Sequence, residues 1–199
     1  MSLFRSIFGT KKGEENKAPQ RQYLPEKTIP ADETFALNFK KNGGKFLYCE
    51  NWGEVLDNFK QILIENNWSE KEVYCNNQQL VNKFEGFNIT FQQKKTATFF
   101  LSTCEAIIAD NGAILFSSNQ LNENKLNDLP DNFVVFAAIG QLVENLSEGL
   151  RNIKNKSKGQ IPSNITTLRT FGKEHHKEMG TINYGGSTKN LYLLLLEDL

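Results

Sequence analysis

The chain has 199 residues, with 23 lysines and arginines balancing 23 aspartates and glutamates, and 39% of its residues are hydrophobic. This length suits one hydrophobic core plus a tail and hides roughly two-thirds of the unfolded surface, so neither disulfides nor a structural metal is needed for stability. The balanced charge excludes the strong positive field of a non-specific nucleic-acid binder, and no nucleic acid is expected as a partner.

At the amino terminus, Leu3-Phe4 and Ile7-Phe8 flank Arg5. These apolar pieces are too short for a secretory signal or a membrane span, which makes the expected location cytoplasmic. Leu3, Phe4, Ile7 and Phe8 also form one apolar side of a potential helical turn near Lys11 and Lys12. They are therefore the expected point of weak contact with an anionic membrane surface or a partner protein's groove. From Gly9 to about Glu33 the chain is rich in Lys, Glu, Gln and Asn and is broken by Pro19, Pro25 and Pro30. Residues 1–33 read as a flexible tail, and residues 34–199 as one domain. Cys49, Cys75 and Cys104 are too scattered for a local ligand set. They read as reduced, buried thiols, and no iron–sulfur cluster, other metal or cofactor is expected.

Phe35 and Phe39, one helical turn apart and stopped by Gly43-Gly44, predict the first helix, and residues 45–49 a short apolar strand. Asn51 and Glu54 form a capping-box pattern ahead of Val55, Phe59, Ile62 and Leu63 at helical spacing. Short strands at residues 73–75 and 89–91 enclose a helical segment carrying Leu80, Val81 and Phe84. The continuous apolar runs at residues 113–116 and 133–138 predict strands covered on both faces, in the middle of a sheet. Ile139, Leu142, Val143, Leu146, Leu150 and Ile153 predict one helix over residues 139–153. On that reading Leu146 lies in the core, and Leu146→Ala costs about 2–5 kcal/mol. Strands at residues 165–171 and 191–196 complete the pattern. Strands alternating with helices give an α/β fold with a mostly parallel sheet and helices on both faces. That sheet is expected to hold Ile114, Phe116, Val134, Phe136, Leu193 and Leu195.

Residues 98–120 (TFFLSTCEAIIADNGAILFSSNQ) resemble the central motif of the LUD (lactate-utilisation) family, whose Ile-Ala-Glu-Thr-Gly-Thr reads here Ile108-Ala109-Asp110-Asn111-Gly112-Ala113. Leu129-Pro130-Asp131-Asn132 with the strand after it, and Gly43-Gly44 with residues 45–49, resemble further family segments, so that the likeness spans roughly residues 35–196. The resemblance implies a fold similar to that of ribose-phosphate isomerase, glucosamine-phosphate deaminase and the CoA-transferases, with a ligand cleft at the carboxyl ends of the strands. It also implies a cluster-free component of lactate or related organic-acid utilisation. Two departures stand out. The family's Glu-Thr-Gly-Thr has become Asp-Asn-Gly-Ala, and its late Gly-Pro-Ser-Arg-Thr-Ala-Asp segment has no clean match around residues 170–178. The alternative is therefore a non-catalytic scaffold that keeps the fold after losing the ancestral site, and the sequence does not decide whether the chain is an enzyme.

Asp110 is the leading candidate for a functional carboxylate at the cleft mouth, against the plain alternative of an Asn-Gly turn between a helix and a strand. Residues 185–189, including Ser187 and Thr188, read as an anion cradle or an ordinary turn. Lys125 is a basic loop residue near the Leu-Pro turn. If a small anionic metabolite binds, Asp110, Asn111, Lys125, Ser187 and Thr188 are expected to converge on it. His175 and His176 read as surface residues, and Cys104 beside Glu105 lacks a neighbouring base to activate it.

Overall fold

The computed structural model describes residues 29–92, 96–172 and 189–197. Leu3, Phe4, Ile7 and Phe8 lie outside them, as do His175, His176, Ser187 and Thr188. Helix α1 (Ala31–Lys41) begins three residues inside the stretch read as tail, with Asp32 and Glu33 in its first turn and Lys40 and Lys41 in its last, each sign complementing the helix dipole. Strand β1 (Lys45–Cys49) follows, then α2 (Trp52–Glu65), whose first turn is held by Asn51 accepting from the Glu54 amide. Strand β2 (Glu72–Tyr74), helix α3 (Gln78–Phe84) and strand β3 (Thr90–Gln92) complete the first half.

Six strands form one all-parallel sheet in the order β1-β10-β7-β4-β2-β3, with β4 at Phe99–Thr103, β7 at Asn132–Ala138 and β10 at Asn190–Leu196. Alternation along the central strands sorts the side chains into two cores. On one face Val134, Tyr192 and Leu194 meet Val55, Phe59 and Leu63 of α2 and Leu80 and Phe84 of α3. On the other, Phe133, Val135, Leu191, Leu193 and Leu195 meet Phe35 and Phe39 of α1 and a second layer of strands.

That second layer differs from the sequence expectation. Strands β5 (Ala106–Ile108), β6 (Ala113–Phe116), β8 (Leu142–Val143) and β9 (Thr166–Leu168) form a separate sheet in the order β8-β5-β6-β9, in which β6 runs antiparallel to both neighbours. Ile114 and Phe116 therefore belong to this sheet and not to the parallel one. The apolar run at residues 113–116 is continuous because its strand is covered twice: Ile114 and Phe116 face the large sheet, whereas Ala113 and Leu115 face outward with Ala106, Ile108 and Val143. Periodicity reports double burial without reporting which sheet supplies it.

Helix α5 (Leu146–Lys156) covers the outward face of the small sheet. It is shorter than the helix predicted over residues 139–153, because residues Ile139–Gln141 form a 3₁₀ turn and Leu142–Val143 pair with β5. Asn145 then restarts the chain as a helix by accepting from the Glu148 amide, while Glu148 accepts from the Glu144 amide. Contact runs through Ile153 and Gly149, where an added Cβ would meet Leu115 Cδ2 at 3.0 Å, and this leaves Leu146 and Leu150 flanking it at 38% and 40% exposure. Leu146 is thus not a core residue. Leu146→Ala should cost about 1 kcal/mol or less in urea denaturation, well below the core range.

Candidate functional site

The motif Asp110-Asn111-Gly112 makes the turn of the β5–β6 hairpin, not a junction between helix and strand. The Gly112 amide donates to Ile108 O at 2.9 Å, Gly112 adopts φ +64°, and the Asn111 side chain accepts from the Ala113 amide at 3.0 Å. Helix α1 grips this turn from the side: Asn38 Nδ2 donates to the carbonyls of Ala109 and Asp110, and Asn42 Nδ2 to those of Asn111 and Gly112. Because Asn42 is the C-cap of α1 and leads into β1, the turn lies where the parallel strands begin, away from their carboxyl ends. Asp110 itself is exposed. Lys125 is also exposed, at the start of a 3₁₀ turn (Leu126–Asp128) where its amide donates to Asp128 Oδ2. No hydrogen bond or ion pair among the described residues joins Lys125 to Asp110 or Asn111, and the remaining candidates, Ser187 and Thr188, lie outside those residues.

At the carboxyl ends of the parallel strands, where the fold would be expected to open a cleft, aromatic rings close one face. Trp52 stacks on Phe136 at 4.8 Å, meets Phe84 edge-on at 6.5 Å and carries Lys83 Nζ 3.8 Å above its ring. On the opposite face the polar groups bind one another. Ser117 Oγ and Asn119 Nδ2 both donate to Glu105 Oε1, the Ser117 amide donates to Gln120 Oε1, and Gln141 Nε2 donates to Cys104 O. Ser117 is in addition the N-cap of the short helix α4 (Ser118–Leu121). Asn76 donates Nδ2 to Gln120 O, and its buried Oδ1 has no hydrogen-bond partner among the described residues.

A groove with ligand-sized volume lies instead along the edge of the sheet, between α2 and the opening residues of β1. Its cavity is about 200 Å³, floored by Leu47 and Ile62 and rimmed by Lys45, Asn58, Gln61, Glu65 and Tyr192. Asn58, Gln61, Ile62 and Glu65 fall on one face of α2 because they are spaced by three, one and three residues. Asn58 is anchored by donating Nδ2 to Cys49 Sγ at 3.3 Å. The hub is Tyr192, whose ring is 2% exposed and whose hydroxyl accepts from Lys45 Nζ at 2.6 Å and Asn66 Nδ2 at 2.9 Å while donating to Glu65 Oε1 at 3.1 Å. Lys45 Nζ also lies 3.6 Å from Glu65 Oε1 and 4.3 Å from the centre of the Tyr192 ring. A fixed hydroxyl, an ammonium and a carboxylate thus converge over an apolar floor, an arrangement suited to a small polar molecule. Sequence reading passed over these residues. The available signal was Tyr192, a hydroxyl in an otherwise apolar final strand, which requires a polar partner when buried.

The cysteines are free and buried. Burial pushes all three thiols up from the ordinary 9.0: Cys75 to about 11, opposed by a hydrogen bond to Asn77; Cys49, opposed by Asn58; and Cys104, reinforced by Glu105. None is a thiolate nucleophile at neutral pH. Lys189 is buried at the head of β10, donating Nζ to Leu129 O at 2.8 Å and lying 3.7 Å from Asp131. Burial lowers its pKa from 10.5, with Asp131 opposing. These shifts act oppositely on stability. Above pH 9.0 unfolded thiols ionise while native ones keep their protons, so the stability they contribute is lost as the pH rises. The native Lys189 ammonium gives up its proton before its unfolded counterpart does, so its burial penalty is relieved toward pH 10.5. Each proton difference is worth about 1.4 kcal/mol per pH unit. Three thiols outweigh one lysine, so urea melts should show stability falling above about pH 9, with a steeper fall in Lys189→Met.

No curated protein matches the sequence. Among solved structures, a protein of the DUF162 family from Deinococcus radiodurans superposes with a TM-score of 0.59 at 13% identity, covering 85% of this chain and 99% of its own. At that identity the likeness concerns the fold. The family model described as LUD domain matches residues 33–196, the span from the first turn of α1 to the last residue of β10. With so much of its length matched, the chain belongs to the LUD-domain family.

Proposed function

We propose that this LUD-domain chain binds a small carboxylate metabolite in the groove between α2 and β1, as a cluster-free accessory component of cytoplasmic lactate or related organic-acid use. The observation that carries the reading is the Lys45 ammonium, positioned by Tyr192 beside an apolar floor in a cavity of about 200 Å³. Drug-sized ligands occupy roughly 300–1,000 Å³, so this volume fits a metabolite of only a few heavy atoms. Binding and orientation are what these residues support.

A thermal-shift screen of small organic acids and related metabolites against the full chain tests the reading. A ligand at a hundred times its dissociation constant stabilises by about 2.7 kcal/mol, which corresponds to roughly 5–10 °C at this chain length. The shift should disappear in Lys45→Met while the unliganded melting temperature stays within about 4 °C, because an exposed ion pair contributes under about 1 kcal/mol. A second reading, the non-catalytic scaffold, is favoured by the use of Asn111 to close a hairpin turn and by the aromatic closure at the carboxyl ends. Failure of every metabolite to shift the full chain would select it.

A further inference from the structure

Resting on the groove reading above, we infer that the groove selects a zwitterion, a small α-amino acid with an apolar side chain, over a simple carboxylate. The groove presents both charges at once, the Lys45 ammonium and the Glu65 carboxylate lying 3.6 Å apart. A bare carboxylate gains Lys45 but is repelled by Glu65, and a bare ammonium meets the converse. A molecule carrying carboxylate and ammonium on one carbon answers both and leaves the net charge of the groove unchanged.

The present Lys45–Glu65 contact does not lock the groove. The two side chains are 47% and 63% exposed, and an ion pair so open to water is readily exchanged for ligand contacts. What stays fixed is Tyr192. Its ring is buried in the core beneath α2, and Asn66 donates to its hydroxyl while itself tied to Ile62 O. The hydroxyl therefore remains as a reference point between the two charges when they part. Leu47 and Ile62 on the floor receive the side chain at the α-carbon, and a cavity of about 200 Å³ limits that side chain to a few carbons.

The test is a set of two-dimensional NMR titrations of the full-length protein with L-alanine, L-lactate, propionate and ethylamine, following the side-chain amides of Asn58, Gln61 and Asn66. L-Alanine should saturate these signals at a concentration about ten- to a hundredfold lower than the other three, the factor expected for a charge-assisted hydrogen bond. Glu65→Gln should remove that advantage by weakening L-alanine and strengthening propionate, which a merely structural role for Glu65 would not do. L-Lactate or propionate binding as tightly as L-alanine overturns the zwitterion inference and leaves the groove reading standing. Groove amides that respond to none of the four compounds overturn both.

Discussion

Replacing Gly112 by alanine should destabilise the protein by about 3–5 kcal/mol, the range of severe core substitutions. Two independent terms contribute. Gly112 adopts φ +64°, where an L side chain is strained, and Pro or Gly positions of this kind cost more than about 1 kcal/mol when replaced. The added Cβ would also come within 2.4 Å of the Phe39 amide nitrogen and 2.5 Å of the Asn38 carbonyl carbon. Those are backbone atoms inside α1, so no side-chain rotation relieves the clash. Either the hairpin turn lifts away, breaking the Asn38 and Asn42 hydrogen bonds, or the helix shifts off the sheet. Asp110→Asn, in the same turn and exposed, should change the melting temperature little, since surface substitutions stay within about 0.5 kcal/mol. Equal stability of Gly112→Ala and the parent in chemical denaturation would mean that the hairpin does not seat on α1.

Phe133→Ala should cost a comparable amount, about 3–5 kcal/mol. Phe133 is fully buried on β7 and joins the two sheets: its ring meets Phe100 of the neighbouring strand at 5.1 Å and Phe116 of the second sheet at 6.2 Å, both edge-on. Lys189 Nζ lies 5.5 Å from the same ring. Truncation removes transfer energy, leaves a cavity between layers that β7 and β6 cannot close, and takes away one face of a buried cation's environment. Phe133→Leu fills most of that space and should lose roughly half as much. If Phe133→Ala cost no more than Leu146→Ala, the packing of the small sheet on the large one would be wrong.

Local sequence determined the elements whose signals are short-range. Asn51 three residues before Glu54 specified the start of α2, and the run ending in Leu196 specified a buried strand, because capping and burial depend on neighbours within one turn or one pleat. The order of β–α units likewise specified a parallel sheet, since crossovers require it. What only the tertiary structure decided was partner choice. Residues 106–116 carry one local hairpin signal, Asn111-Gly112, but nothing local says whether that hairpin joins the parallel sheet or lies across it; the long-range contacts of α1 with the Asp110–Gly112 turn settle it. The helical pattern over residues 139–153 broke for the same reason, as Leu142 and Val143 pair with β5 instead of extending α5. The groove was invisible for a related cause: Lys45, Glu65 and Tyr192 lie in three separate elements, and their meeting depends on β1 and β10 pairing in the register that sets Lys45 beside Tyr192. Periodicity records which side of an element is buried, whereas a site is made by which elements the fold places side by side.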